Sequence, residues 1–399
     1  MNAVSSALRQ KHPTAALALI LLPASSGFAQ STISDAPATP TAMSTLGMTG
    51  PLAANPNPTS FDTGALGTWY VTGAITGLAL SQDHRFPGDR KALSDLSSVQ
   101  VFIQKTSGPL QFFVQVGGYS MPALGTAYLP AHKTIDTFYG AVPQAFVKYA
   151  PNDHFSIMAG KLPTMIGAEY TFTFENMNIE RGLLWNQESA VNRGLQATYV
   201  QGPVTTSVSW NDGFYSNRYN WLCGSLAYAI DQNDTLSFIA GGNMGQSARV
   251  SAVTPLLQNN SQILNVIYTH AAGSWTLTPY LQYTRVPANA ELGIVHSAST
   301  TGAALLANYA FNSNFSLAGR AEFISSSGSA TNGSPNLLYG PGSKAWSLTL
   351  TPTYQNRLFF VRGELSYVKT SDTTPGFALG QDYSNRSQLR MMLETGILI

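Results

Sequence analysis

From about Thr68 to the end of the chain, apolar and polar residues alternate with a period of two, the mark of strands with one apolar and one polar face. Within 344–370, Trp346, Leu348, Leu350 and Tyr354 alternate with Ala345, Ser347, Thr349 and Thr353. Gln355-Asn356-Arg357 interrupts the run, and Phe359, Val361, Leu365 and Tyr367 then alternate with Arg362, Glu364 and Ser366. Two strands and one tight turn make a hairpin.

The same unit recurs along the chain. Short breaks fall at Thr106-Ser107-Gly108-Pro109, Pro151-Asn152-Asp153, Gly202-Pro203, Asp231-Gln232-Asn233-Asp234, Ala272-Gly273-Ser274, Asn312-Ser313-Asn314 and Gln355-Asn356-Arg357, all rich in turn-forming residues. Longer polar segments separate the hairpins, at about 81–96, 120–141, 163–190, 212–218, 244–261, 285–300, 325–343 and 370–384. Seven hairpins give about fourteen strands, and one more at each end (about 68–80 and 385–399) brings the total to about sixteen. One hairpin missed or invented would make it about fourteen or eighteen. Strict alternation of short and long connections is the rhythm of a transmembrane antiparallel β-barrel, with short periplasmic turns and long external loops. The fold class is therefore all-β.

The two faces agree with a membrane wall. Outward candidates are Leu110, Phe112, Val114 and Val116; Val204, Val208 and Trp210; Trp275, Leu277, Leu281 and Tyr283; Phe315, Leu317, Ala321 and Phe323. Their inward partners are Gln111, Phe113 and Gln115; Thr205, Ser207 and Ser209; Thr276, Thr278, Tyr280 and Gln282; Ser316, Ala318, Arg320 and Glu322. Trp69, Tyr149, Tyr199, Trp210, Trp275, Tyr283, Trp346 and Tyr367 lie near strand ends, where aromatic girdles meet lipid headgroups. The same aromatics could fill the core of a soluble sandwich. Three residues fit badly. Pro279 and Pro352 fall inside predicted strands, where each removes a ladder donor. Arg193 takes outward parity and is placed at the rim or beside a bulge.

Composition sharpens the picture. Only 10% of residues are charged, against roughly 25% in a soluble domain. Past the N-terminus no apolar run is long enough for a membrane helix. A formal charge of +1 leaves no basic footprint for nucleic acid. The single cysteine, Cys223, excludes an internal disulfide framework and is expected to be a small packed side chain.

Residues 1–29 read as a signal peptide: Arg9, Lys11 and His12, a short apolar core from Thr14 to Leu22, then small residues with cleavage expected after Ala29. Its loss leaves 19 Lys and Arg against 20 Asp and Glu. Residues 30–66, with Pro37, Pro40, Pro51, Pro56 and Pro58, read as a flexible periplasmic leader without a fold of its own. Residues 67–399 are the barrel. Its final residue, Ile399, departs from the aromatic end usual in outer-membrane barrels.

One stretch carries a family resemblance. Gly160-Lys161, Ile166-Gly167-Ala168-Glu169, Asn176, Asn178, Arg181 with Leu183-Leu184-Trp185, and Asn192-Arg193-Gly194-Leu195-Gln196-Ala197-Thr198-Tyr199 follow in order. They resemble the strand, loop and return strand of the OmpL-like β-barrel porins, also called β-barrel porin type 2. The rest of the chain matches by strand rhythm alone. The resemblance implies a channel in the bacterial outer membrane, with outer-membrane lipid around it and small polar solutes or ions passing through by diffusion. From general porins come two further expectations: the third long loop, about 163–190, folds into the lumen, and the barrel forms a homotrimer.

Charged residues of that loop and of the inner face are the candidate constriction. They are Glu169, Glu175, Glu180, Arg181 and Glu188 in the loop, and Arg320, Glu322, Arg362, Glu364 and Arg390 on the wall. Strand parity sets Arg320 beside Glu322, Arg362 beside Glu364 and Arg390 beside Glu394. Such pairs either neutralise each other and keep the wall wet or build a transverse field facing the loop acids. The excess of loop acids tilts the expectation to cation preference.

No catalytic signal stands out. There is no H-E-x-x-H, nucleophile elbow or P-loop, and neither a cofactor nor a metal is implied. His270 with a nearby serine could imitate a lipase, as any serine-rich chain could. The alternatives to an open channel are a plugged barrel serving as adhesin or scaffold, an outer-membrane barrel enzyme, and a soluble β-protein.

Overall fold

The computed structural model describes Met48 and residues 50–399. The signal peptide and the first part of the leader lie outside the described residues.

A short strand, β1 (Thr59–Asp62), precedes the wall. The wall begins with β2 (Thr68–Gln82), β3 (Ala92–Lys105), β4 (Leu110–Tyr119), β5 (Ala145–Tyr149), β6 (Phe155–Pro163) and β7 (Val191–Gln201). It continues with β8 (Val204–Asn211), β9 (Trp221–Ala229), β10 (Asp234–Asn243), β11 (Gln262–Ala272) and β12 (Trp275–Val286). It ends with β13 (Ala298–Ala310), β14 (Phe315–Ser326), β15 (Lys344–Asn356), β16 (Phe359–Ser371) and β17 (Ser387–Leu398). Each wall strand pairs antiparallel with the next, and β17 returns to β2 from Arg390↔Gln82 to Leu398↔Ala74. The result is a closed barrel of 16 strands. Closure satisfies the backbone donors and acceptors without an open edge, which a lipid environment demands.

All seven short breaks are hairpin turns, and the eight long segments are the loops at the other end. Leu110, Val208, Trp210, Trp275, Leu281 and Phe323 point outward, each with roughly half of its surface free. Phe113, Gln115, Ser207, Ser209, Tyr280 and Gln282 point inward and are buried.

The awkward residues have local explanations. Pro279 pairs with Leu305 on β13, but on its other side the ladder to β11 skips from Tyr280 to Leu277. Pro352 pairs with Leu317 on β14, while the ladder to β16 skips from Leu350 to Thr353. Each proline therefore sits where one ladder is already interrupted, so no interstrand bond is left with a missing donor. Arg193 is at the long-loop rim: its Nε donates to Asp212 at 2.8 Å and its guanidinium lies 3.9 Å over the Tyr215 ring. His270, near a short turn, contacts Asp234 at 2.8 Å. Cys223 is buried and unpaired.

The leader departs from expectation. Its last part is structured: β1 pairs with the start of β2 from Thr59↔Val71 to Asp62↔Thr68. Leu52 is buried within the barrel beside Ala74, Phe102, Phe360 and Leu398. Proline content alone had suggested no packing, but Leu52 is apolar and finds apolar inward neighbours at the barrel mouth, while Pro56 stays exposed.

Candidate functional site: a loop fastened inside the lumen

The third loop, residues 164–190, leaves β6 and returns to β7 through the barrel interior. Local bonds give it shape. The Glu175 carboxylate accepts from the Phe172 N–H at 2.9 Å, closing a 3-10 turn at Thr173–Glu175. The Asn176 side chain accepts from Tyr170 N–H at 2.7 Å and donates to the Phe172 carbonyl at 2.7 Å. A second 3-10 turn covers Leu184–Gln187. These turns bring Phe172, Phe174, Ile179, Leu183 and Leu184 against the inner wall, where all five are buried. Phe172 meets Tyr119 edge-on at 5.1 Å, and Phe174 meets Phe102 at 6.0 Å.

One side of the loop faces β14 to β17, and here the inward charges are concentrated. Register sets them in adjacent rows: Glu322 opposite Ser347, Arg320 opposite Thr349, Arg362 opposite Glu394 and Ser366 opposite Arg390. The wall acids receive loop amides. Glu364 accepts from Ile179 N–H at 2.5 Å and Glu180 N–H at 2.9 Å. Glu322 accepts from Leu183 N–H at 3.0 Å and Leu184 N–H at 3.3 Å. The wall arginines reach loop carbonyls and loop acids. Arg320 donates to Glu169 at 2.5 Å and to the Glu180 carbonyl at 2.7 Å. Arg362 donates to the Asn176 carbonyl at 2.9 Å and the Thr173 carbonyl at 2.6 Å. Arg390 donates to Glu180 at 2.8 Å and to the carbonyls of Ala123 and Thr126 in the second loop.

This arrangement corrects the pairing expected from parity. Arg320 does approach its neighbour Glu322, at 3.3 Å. Arg362, however, pairs across the wall with Glu394 at 2.6 Å, and Arg390 with the loop residue Glu180. The reason is direction. Glu364 is turned to the loop amides, so Arg362 finds the carboxylate directly opposite it on β17. Full burial then makes each hydrogen bond matter, because an unpaired buried charge is costly.

Two loop acids stand apart from this lattice. Glu188 accepts from the Tyr280 hydroxyl at 2.5 Å, and burial pushes its carboxyl up to about 8 against that bond. Burial likewise pushes Glu175 up to about 8, opposed by the Phe172 amide and by Arg181. Arg181 itself is fully buried, with its guanidinium 5.3 Å from the Trp185 ring and no hydrogen bond from its nitrogens among the described residues.

The ten charged residues singled out from sequence are all in the interior and nearly fully buried. Sequence reasoning had not assigned Glu394 a partner outside its own strand, nor found the loop-facing Thr351, which donates to Glu364 at 2.8 Å. Inward parity was the available signal for both.

Residues 68–399 match the family model described as "Putative beta-barrel porin-2, OmpL-like". No curated protein matches the chain. Among solved structures, the outer-membrane expressed OmpT of Vibrio cholerae is similar with a TM-score of 0.56 and 12% identity, over 83% of this chain and 98% of that one. The outer membrane channel DcaP of Acinetobacter baumannii is similar with a TM-score of 0.56 and 9% identity, over 83% and 97%. A trimer form of OmpT gives a TM-score of 0.55 and 12% identity, over 83% and 99%. At these identities the likeness is one of fold.

Proposed function

The chain belongs to the OmpL-like β-barrel porin-2 family, and from that premise we propose that it is a narrow outer-membrane channel for passive diffusion of small polar solutes or ions. One observation carries the reading: the third loop lies inside the barrel and is fastened to β14–β17 by buried charged hydrogen bonds. A loop held in that way fixes the bore, and water and solute must pass beside it. The described barrel has its short turns on the periplasmic side, with the chain exported after removal of residues 1–29. It carries no catalytic role. It assembles as a homotrimer, as the trimer form of one structural neighbour suggests.

The loop and wall acids Glu169, Glu175, Glu180, Glu188, Glu322, Glu364 and Glu394 outnumber Arg181, Arg320, Arg362 and Arg390. Glu175 and Glu188, pushed up to about 8, are mostly protonated at neutral pH, which leaves at most five charged acids against four arginines; the bore therefore prefers cations, though weakly. Swelling of liposomes containing the purified barrel tests the reading. Small neutral solutes are expected to enter and larger sugars to be excluded, and absence of swelling with folded protein would refute it.

A second reading has its own observation. Inward residues of β7, β8, β10 and β11, including Gln196, Ser207, Ser209, Ser237 and Asn265, are also buried, and Asn265 accepts from the loop's Gly167 N–H at 3.1 Å. Such filling favours a closed barrel that serves as adhesin or scaffold. The same swelling assay separates the two.

A further inference from the structure

We infer that Met48 and residues 50–57 form a strut that enters the short-turn mouth of the barrel, props the third loop from below and restricts the channel; this rests on the channel reading above. The segment contacts both wall and loop. Leu52 is 3% exposed and packs in one cluster with Ala74 of β2, Phe102 of β3, Phe360 of β16 and Leu398 of β17, all inward residues. Met48 and the loop residues Phe172 and Phe174 belong to the same cluster. Ala53 is tied to the wall at both of its backbone groups: its N–H donates to the Gln355 side-chain oxygen at 2.7 Å and its carbonyl accepts from the Gln355 amide at 2.9 Å. Gly50 lies directly on the loop. A Cβ there would stand 2.5 Å from the Asn176 carbonyl oxygen and 2.9 Å from its carbon.

That meeting point matters. Asn176 is the residue whose carbonyl Arg362 holds from the wall and whose side chain ties Tyr170 to Phe172. The loop is thus gripped from the wall by charge and from the mouth by the strut. The sequence suits a tether held at one buried point. Leu52 is buried while Ala53, Pro56 and Asn57 are exposed, and Pro51 and Pro56 restrict the freedom that docking would otherwise remove. Asn55 closes a local turn by accepting from Asn57 N–H at 2.9 Å. β1 then fixes the downstream end by pairing with β2. Upstream, among the described residues, the segment is held through Met48, Gly50, Leu52 and Ala53 and by no strand pairing. It can therefore leave the lumen without breaking any pairing of the 16-strand wall.

The test compares single-channel conductance of the mature chain with two variants, deletion of residues 48–57 and Gly50→Val. The deletion removes the strut. Gly50→Val leaves Leu52 and Ala53 in place but drives a side chain into the Asn176 carbonyl. Both are expected to conduct at least about twofold more than the full chain, since the deletion removes the strut from the constriction and the Gly50→Val clash pushes it off the loop, and either widens the aqueous path. Amide exchange at Met177, whose nitrogen a Cβ on Gly50 would approach to 3.4 Å, is expected to quicken in both. A silent full chain beside conducting variants would support the strut still more strongly. Conductance and exchange equal to those of the full chain, in folded heat-modifiable barrels, would overturn the strut and leave the channel reading standing. Silence in all three would overturn the channel reading and this inference with it.

Discussion

Arg362 donates to both partners of the loop–wall joint, and replacing it tests that joint. Two contacts go to Glu394 on the wall, a hydrogen bond at 2.7 Å from Nε and an ion pair at 2.6 Å from Nη2. Two go to loop carbonyls, those of Asn176 and Thr173. A hydrogen bond to a charged group contributes about 1.5–3 kcal/mol, so the loop loses roughly 3–6 kcal/mol of docking energy. At about 1.4 kcal/mol per tenfold, the undocked population rises by a factor of about 10² to 10⁴. Arg362→Met alone also strands Glu394 and costs the barrel about 3–5 kcal/mol. Arg362→Met with Glu394→Leu leaves no orphaned charge and also removes the bond that the Thr173 hydroxyl donates to Glu394 at 2.6 Å, so the wall keeps its stability while the loop loosens further. Arg181 is a trypsin site within loop 3, and it is fully buried. Trypsin is expected to spare Arg181 in the parent and to cut after it in the double variant, with flickering single-channel current. Cleavage at Arg181 and current noise equal to the parent, in a folded barrel, would refute the reasoning.

Other consequences follow from the same geometry. Glu175 and Glu188, raised to about 8, hold protons in the folded chain that the unfolded chain releases from about 4.5 upward. Their contribution to stability is therefore greatest below about pH 4.5 and falls as pH rises to about 8; denaturant midpoints across that range check it, and Glu175→Gln with Glu188→Gln should flatten the slope. The same two groups acquire charge toward pH 9, so the reversal potential in a salt gradient should become more cation-selective between about pH 6 and 9 in the parent and stay level in that double variant. Arg193→Ala leaves Asp212 buried without its ion pair and removes the Tyr215 stack, a loss of about 3 kcal/mol that thermal unfolding would register. Ile399 closes the last ladder bonds with Gly73 at 2.9 and 2.8 Å.

Most of the wall could be read from the chain because its causes are local. Turn residues mark every hairpin, and the side-chain period sets which residues meet lipid and which face the lumen, as Trp275 and Gln282 illustrate. Register then follows from hairpin geometry. The site was legible only in part. Parity placed Arg320, Glu322, Arg362, Glu364 and Arg390 inside, but partners depend on contacts between distant segments. Arg390 finds Glu180 across 210 positions, and Arg320 finds Glu169 across 151. No period in the sequence encodes such pairs. Glu364 was read as a partner for Arg362, whereas it caps amides of a loop whose path the sequence does not specify. Leu52 was missed for a related reason: a lone apolar residue among prolines gives no pattern, and only the closed barrel supplies the apolar neighbours that bury it.

The central claim is that a fastened third loop defines a narrow, conducting bore. Its most direct test is single-channel recording of the purified mature protein in a planar bilayer under a salt gradient. Small discrete conductance steps with a modest cation-selective reversal potential are expected. Silence from a folded, heat-modifiable barrel, or large steps unaffected when loop 3 is shortened, would contradict it.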